Sequence, residues 1–352
     1  EAVFNAMQEG VMVLDARGRI KNINQNFYRL TFFDGDPLGR RPLEVIPNPE
    51  LQRICDQALT GTEDDWRPGA KNLQIVLSDD RIYDTNIVCL SNGKGGRGAV
   101  AVFHEITELK RLEKVRQDFV ANVSHELRTP LTSIKGYTET LLSDRPSPET
   151  SSSFLQVILR NTNHMVKMVE DLLQLARLEA LHNPVELVSV NAASALQMAW
   201  RACQHHAEGK SVELNNLLPK EGVFVSADLD QLVQVFRNLL ENAIRYSPQK
   251  EAITVESAIG ADEITFAVRD NGPGISKKYQ QRIFERFYRI DKHRGDASGS
   301  TGLGLAICRH ILLNNRGRIW VQSPTGKEGT GTTFFFALRP AKSSSLSAGG
   351  QG

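Results

Sequence analysis

The chain has 352 residues, 40% apolar and 24% charged, with 42 Lys and Arg set against 41 Asp and Glu. That length exceeds one ordinary core and points to two or three soluble domains. A formal charge of +1 gives no electrostatic case for direct nucleic-acid binding or for an anionic membrane surface.

Cys55, Cys89, Cys203 and Cys308 lie far apart without a CxxC pair, so they read as free thiols rather than a zinc site or a disulfide framework. No apolar run approaches the roughly 20 residues that span a bilayer. The chain starts with Glu1 and reads as a fragment of something longer.

Residues 1–104 mix short strands and short helices. Val11-Met12-Val13-Leu14-Asp15, the turn Ala16-Arg17-Gly18 and Arg19-Ile20-Lys21-Asn22-Ile23-Asn24 form a strand–turn–strand pattern. Further strands are expected at 72–77, 82–90 and 98–104. Asn92, Gly93, Gly95 and Gly96 mark a hairpin turn between the last two.

Residues 105–182 carry two helical patterns. Leu109, Leu112, Arg116, Phe119 and Val123 step by three and four. Phe154, Ile158, Asn161, Met165, Met168, Leu172 and Leu175 form an unbroken heptad seam. Asn161 stands either in that seam, fixing register, or at its edge. Ser143-Asp144-Arg145-Pro146-Ser147-Pro148 cannot continue a helix. The result is an antiparallel hairpin with one apolar stripe uncovered, which a second copy would cover as a four-helix bundle, so a homodimer is expected.

His182-Asn183-Pro184 reads as a linker. Residues 186–340 then alternate helices (191–208, 229–246, 277–287, 304–314) with strands (212–217, 253–258, 264–269, 319–322, 332–338), a layered sheet with helices packed on it. Residues 341–352, rich in Ser and Gly, read as a disordered tail.

Chemistry-bearing residues concentrate in this last region. On the 229–246 helix, Asn238, Glu241, Asn242 and Arg245 share one face. Amide and carboxylate oxygens suit Mg²⁺, and Arg suits phosphate. Asp270-Asn271-Gly272-Pro273-Gly274 follows a strand, where the carboxylate can accept from an exocyclic amine and the glycines admit a flat ligand. Gly299-Ser300-Thr301-Gly302-Leu303-Gly304-Leu305 precedes a helix, offering backbone N–H groups to phosphates. Gly329-Thr330-Gly331-Thr332-Thr333-Phe334 opens the last strand. Taken singly, each is an ordinary surface feature.

In this order the four elements resemble the N, G1, G2 and G3 boxes of the Bergerat-type ATP-binding fold, with Ile283-Phe284-Glu285-Arg286-Phe287-Tyr288-Arg289 at its F box. The resemblance implies an ATP site. Asp270 would read the adenine amine and Tyr246 would line the adenine pocket. Asn242 with Glu241 would hold Mg²⁺. Asn238, Arg245, Gly272, Gly274, Ile275, Phe287, Arg289, Gly302, Leu303, Gly304, Leu305 and Thr332 would complete the site, with 288–301 as a lid. Arg245 stands where the family commonly has Lys.

Phe119-Val120-Ala121-Asn122-Val123-Ser124-His125-Glu126-Leu127-Arg128-Thr129-Pro130-Leu131 resembles the H box of two-component sensor histidine kinases. With Phe119 and Val123 in the seam, His125 points outward. The resemblance implies autophosphorylation of His125 on its far ring nitrogen, Glu126 taking or orienting the proton, and transfer to an aspartate of a response-regulator receiver domain. Thr129 would position water for dephosphorylating that partner. Pro130 removes a helix hydrogen bond and is expected to kink the helix.

Residues 1–104 resemble a PAS sensor domain through Asn24-Gln25-Asn26-Phe27 and Val102-Phe103-His104-Glu105-Ile106-Thr107-Glu108-Leu109. His104 reads as a strand-end residue rather than a ligand. Ile46-Pro47-Asn48-Pro49-Glu50-Leu51 resembles PhoR-type phosphate-regulon sensors, whose membrane helices lie upstream. That resemblance makes this chain the cytoplasmic portion of a bacterial inner-membrane protein. The expected architecture is a multidomain α+β chain: a PAS α/β domain, a dimerising helical hairpin and a Bergerat-type α/β sandwich. A non-kinase ATPase of that fold and a nucleotide-binding scaffold are the alternatives.

Overall fold

The structure, a computed structural model, describes residues 2–31, 33–60, 71–77, 80–91, 97–144, 146–180, 186–290, 301–325 and 330–341. The expected turn at 92–96, the linker 182–184, lid residues 291–300, Gly329 and the tail from 342 lie outside them. The chain divides into two units, Glu1–Ala121 and Asn122–Gly352.

The first unit runs α1 (Ala2–Ala6), β1 (Gly10–Leu14), β2 (Ile20–Ile23), α2 (Gln25–Thr31), α3 (Pro42–Val45), α4 (Pro49–Thr60), β3 (Lys71–Val76), β4 (Ile82–Ser91) and β5 (Arg97–Glu105). The strands form one antiparallel sheet in the order β2-β1-β5-β4-β3. Alternation along β5 sends Ala99, Ala101 and Phe103 into the core. There Phe103 meets Phe27 edge-on at 5.4 Å, among Met12, Leu51, Cys55 and Ile87.

Asn24, fully buried, accepts from the N–H groups of Val11 and Phe27 and donates to the carbonyl of Glu9, so one side chain fastens β1 to the start of α2. His104 is exposed near the end of β5, 3.8 Å from Glu9.

Helix α5 (Thr107–Ser143) begins in the first unit and continues in the second, where α6 (Pro148–Ala180) runs back along it. Pro148 opens α6, where its missing N–H is no loss, and the Ser147 hydroxyl lies 3.3 Å from the Thr150 N–H as a cap. Two contacts set the pairing. Asn161 donates to Ser133 at 3.4 Å, and Tyr137 packs on Phe154 at 4.9 Å. Asn161 thus faces α5 within the hairpin. Beside this seam runs a second apolar stripe on α6: Leu155, Leu159, Val166, Val169 and Leu173 are 45–61% exposed.

The remainder runs β6 (Val188–Asn191), α7 (Ala192–Lys210), β7 (Glu213–Asn216), β8 (Phe224–Ala227), α8 (Leu229–Tyr246), β9 (Ala252–Ile259), β10 (Ile264–Asp270), α9 (Lys277–Gln280), α10 (Gly304–Asn314), β11 (Arg318–Gln322) and β12 (Thr332–Leu338). The sheet order is β11-β12-β10-β9-β7, and β6 pairs separately with β8. Asp228 caps α8 through the Gln231 N–H, and every third or fourth residue (Leu232, Val235, Phe236, Leu239, Ala243) is buried.

Phe236 reaches Phe266 and Phe336 at 5.8 and 5.2 Å, joining helix to sheet. Phe236→Ala is expected to cost about 3–5 kcal/mol, read as a fall in the denaturant midpoint at unchanged slope. A loss below about 1 kcal/mol would mean that this cluster collapses around the gap.

The expected helix over 277–287 is corrected. Only Lys277–Gln280 is α-helical, followed by a 3-10 turn at Arg282–Phe284. Phe287 adopts φ +60°, and its N–H bonds the Gly302 carbonyl at 2.9 Å. The backbone is diverted from helix into the glycine loop. Strands β6 and β8, four residues each, were not expected. Among the described residues no helix is long and apolar enough to cross a membrane.

Candidate nucleotide site and phosphoacceptor helix

Asp270 ends β10 opposite Thr332 of β12 and is 4% exposed. Burial pushes its carboxyl up to about 6, against the opposing pull of backbone N–H groups from Gly272 (2.8 Å) and Thr332. A Cβ on Gly272 would stand 2.8 Å from the Asp270 Oδ1 and 3.0 Å from the Tyr246 carbonyl, so only glycine lets Tyr246, Gly272 and Asp270 converge. Gly331 donates to the Gly272 carbonyl at 2.7 Å, linking the loops after β10 and before β12.

Ile275 is fixed from behind. Its N–H donates to the Ser323 hydroxyl (2.7 Å), and Gln280 donates to the carbonyls of Ile275 (2.9 Å) and Ser323 (2.6 Å). Neither Ser323 nor Gln280 was marked by sequence pattern; each acts across a separation that local spacing does not encode.

The polar face of α8 divides its labour. Asn238, 7% exposed, donates to the Gly304 carbonyl at 3.0 Å and accepts from Gln234 at 2.9 Å, which secures the first turn of α10. Glu241 accepts from Lys167 of α6 at 2.7 Å, with Arg237 at 3.7 Å. Asn242 and Arg245 are half-buried, and Tyr246 is 56% exposed. Lys210, also unmarked in the sequence, caps the C-terminal end of α8 through the carbonyls of Ile244 and Arg245, at 3.0 and 2.5 Å.

In the glycine loop, Gly302 has φ +68°, and a Cβ there would lie 2.9 Å from the Cα of Phe287. Thr301, buried, accepts from the Leu303 N–H at 3.3 Å and donates to Asp171 of α6 at 2.6 Å. Leu303 is fully buried, Gly304 and Leu305 partly so, and Arg289 is half-buried beyond Phe287. Gly274 adopts φ +80°.

His125 is not part of this sheet-lined group. It stands exposed on α5, with Glu126 partly buried beside it, and Thr129 donates to the His125 carbonyl at 3.3 Å. Pro130 is buried and α5 continues through it.

Residues 227–342 match the model of histidine kinase-, DNA gyrase B- and HSP90-like ATPases, residues 115–181 the His kinase A phospho-acceptor domain, and residues 4–111 the PAS fold. The sensor protein kinase WalK of Staphylococcus aureus is 32% identical over 351 residues, covering 96% of this chain and 80% of that one. The chain belongs to the two-component sensor histidine kinases. Another member, WalK of Staphylococcus haemolyticus, is 33% identical over 96% of the chain and 54% of its own length. The chain spans about half the length of the curated relatives it first matches.

The relatives quoted are WalK kinases, and the phosphate-regulon likeness of residues 46–51 stays a resemblance. Two solved members share the fold. The histidine kinase ThkA, in a complex with the response regulator TrrA, is 21% identical with a TM-score of 0.52 over 97% of this chain and 98% of that one. AdeS of Acinetobacter baumannii is 22% identical with a TM-score of 0.50 over 61% and 98%.

Proposed function

We propose that this sensor histidine kinase uses ATP to phosphorylate its own His125 and passes the phosphoryl group to an aspartate of a response-regulator receiver domain. The observation that carries the reading is the convergence of buried Asp270 and Gly272 on Tyr246, in a chain that also presents an exposed, helix-borne His125 followed by Glu126. Its working parts are a PAS domain (1–104), a phosphotransfer hairpin (105–182) and an ATP-binding domain (186–340).

The Asp270 carboxylate accepts from the adenine amine, beside Tyr246 and Ile275. The backbone N–H groups of Gly302 and Gly304, with Arg245 and Arg289, take the phosphates at the start of α10. The donor set on α8 suits a hard cation: Asn242 would hold Mg²⁺ with Glu241, once Glu241 leaves Lys167, and the ion would neutralise phosphate charge. Asn238 is committed to Gly304 and shapes the loop.

At the acceptor, Glu126 orients or removes the imidazole proton. The far ring nitrogen of His125 then bonds the γ-phosphorus as the bond to the ADP oxygen breaks, which requires in-line approach to about 3–3.5 Å. Thr129 serves the reverse activity by positioning water against the phosphorylated partner. A second copy of the chain covers the exposed stripe on α6 and completes a four-helix bundle. The complex named for the relative ThkA supports a receiver-domain partner.

Incubation with γ-labelled ATP and Mg²⁺ is expected to yield protein-bound phosphate that is acid-labile and alkali-stable. Free phosphate without protein label would indicate a plain ATPase, and neither product a scaffold.

Adenine recognition is also expected to depend on pH. Asp270 has its carboxyl raised to about 6, so below that pH the free site holds a neutral acid and the amine loses a charged acceptor. Affinity for an ATP analogue is expected to fall toward pH 5, approaching tenfold per unit, and Asp270→Asn is expected to flatten the profile. An unchanged slope in that variant would assign the titration elsewhere.

A further inference from the structure

Helix α6 does more than build the hairpin. Along one face it meets the ATP-binding region, packing on α10 with Met168, Leu175 and Leu178 buried. Its polar residues there meet functional segments rather than neutral surface. Lys167 holds Glu241 of α8, Asp171 accepts from Thr301 of the glycine loop, and Glu179 pairs with Arg286 beside Phe287. Of these the middle contact weighs most. Asp171 is 7% and Thr301 4% exposed, whereas the flanking ion pairs are partly open to solvent and screened.

The hydrogen-bond chain has a direction: the Leu303 N–H donates to the Thr301 hydroxyl, and that hydroxyl donates to the Asp171 carboxylate. Asp171 therefore sets the Thr301 rotamer, and Thr301 sets the loop backbone ahead of α10. The helices place this contact along the hairpin. Ser133 on α5 meets Asn161 on α6. Eight residues before Ser133 is His125, and eight after Asn161 is Val169, between Lys167 and Asp171. His125 and the Asp171–Thr301 contact thus stand within about one helical turn of the same level.

We infer that Asp171 is a positioning residue for phosphoryl transfer: through Thr301 it holds the glycine loop of the ATP site against the hairpin at the level of His125. The inference rests on the kinase reading above. It assigns to the phosphoacceptor hairpin a carboxylate that touches neither substrate nor acceptor but governs their approach. Loss of the contact lowers the rate of the transfer step by more than it lowers nucleotide affinity, since the Asp270 group lies elsewhere in the site.

The test is a double-mutant cycle on the 352-residue chain, reading the initial rate of γ-phosphate incorporation and the affinity for a non-hydrolysable ATP analogue. Asp171→Ala and Thr301→Val are each expected to slow labelling by about tenfold, with a clearly smaller loss of affinity. The double variant is expected to be no slower than either alone. Thr301→Ser, which keeps the hydroxyl, is expected to regain most of the rate. If Asp171→Ala fails to fold, the Val and Ser variants at position 301 decide the matter by themselves.

Three results would overturn the inference alone: unchanged rates, an additive loss near a hundredfold in the double variant, or affinity falling in step with rate. Absence of label in the unaltered chain would overturn it together with the kinase reading.

Discussion

Asp270→Asn is expected to weaken ATP binding by about 10- to 150-fold while leaving the fold as stable as before or slightly more so. The two halves of that expectation come from the same burial. A hydrogen bond to a charged group contributes about 1.5–3 kcal/mol, which converts to that range of affinity. The asparagine can still accept from the Gly272 N–H, but its own amide N–H groups oppose the adenine amine.

Against this, the free site holds its carboxylate at a cost. A carboxyl moved from the ordinary range up to about 6 by burial is disfavoured as an anion by about 3 kcal/mol. The folded state binds that proton more tightly than the unfolded chain. The associated stability is therefore complete below about pH 4 and is lost as pH rises to about 6. Neutral asparagine escapes the penalty, a trade of stability for recognition of the kind expected at a functional site. Calorimetric unfolding and analogue titration on one preparation check both halves. A variant that loses stability and affinity together would show Asp270 to be structural.

Legibility in the sequence followed the range of the interactions. Helix α8 was readable because its period buries Leu232, Val235, Phe236, Leu239 and Ala243 on one side and its Asp228 cap is adjacent. The strands β9, β10 and β12 were readable because buried apolar residues alternate along them or run continuously. The motifs around Asp270, Gly302 and His125 were readable because glycine, amide and acid residues stand at fixed short spacings.

What escaped was long-range or too brief. β6 and β8 are four residues each and exist because they pair with one another. The segment after Gln280 carries a helix-like pattern, but it tightens into a 3-10 turn and becomes extended at Glu285, and the Phe287 N–H beyond it bonds the distant Gly302 carbonyl. The hairpin's uncovered apolar stripe is expected from the sequence, but its residues, Leu155 to Leu173, are set apart from the heptad seam only by Asn161 and Phe154 facing α5. Ser323, Lys210, Lys167 and Asp171 act on partners 34 to 130 residues away, where no local pattern marks them.

The whole reaction turns on one imidazole. His125 is exposed on α5, where transfer from a docked nucleotide needs no unfolding. Glutamine in its place keeps helix propensity and approximate size but offers no nucleophilic nitrogen. The measurement is incorporation of γ-labelled phosphate from ATP with Mg²⁺ into the unaltered chain and into His125→Gln, alongside the affinity of each for an ATP analogue. Label is expected in the unaltered chain and none in the variant, with equal affinities. Label that survives in His125→Gln would contradict this.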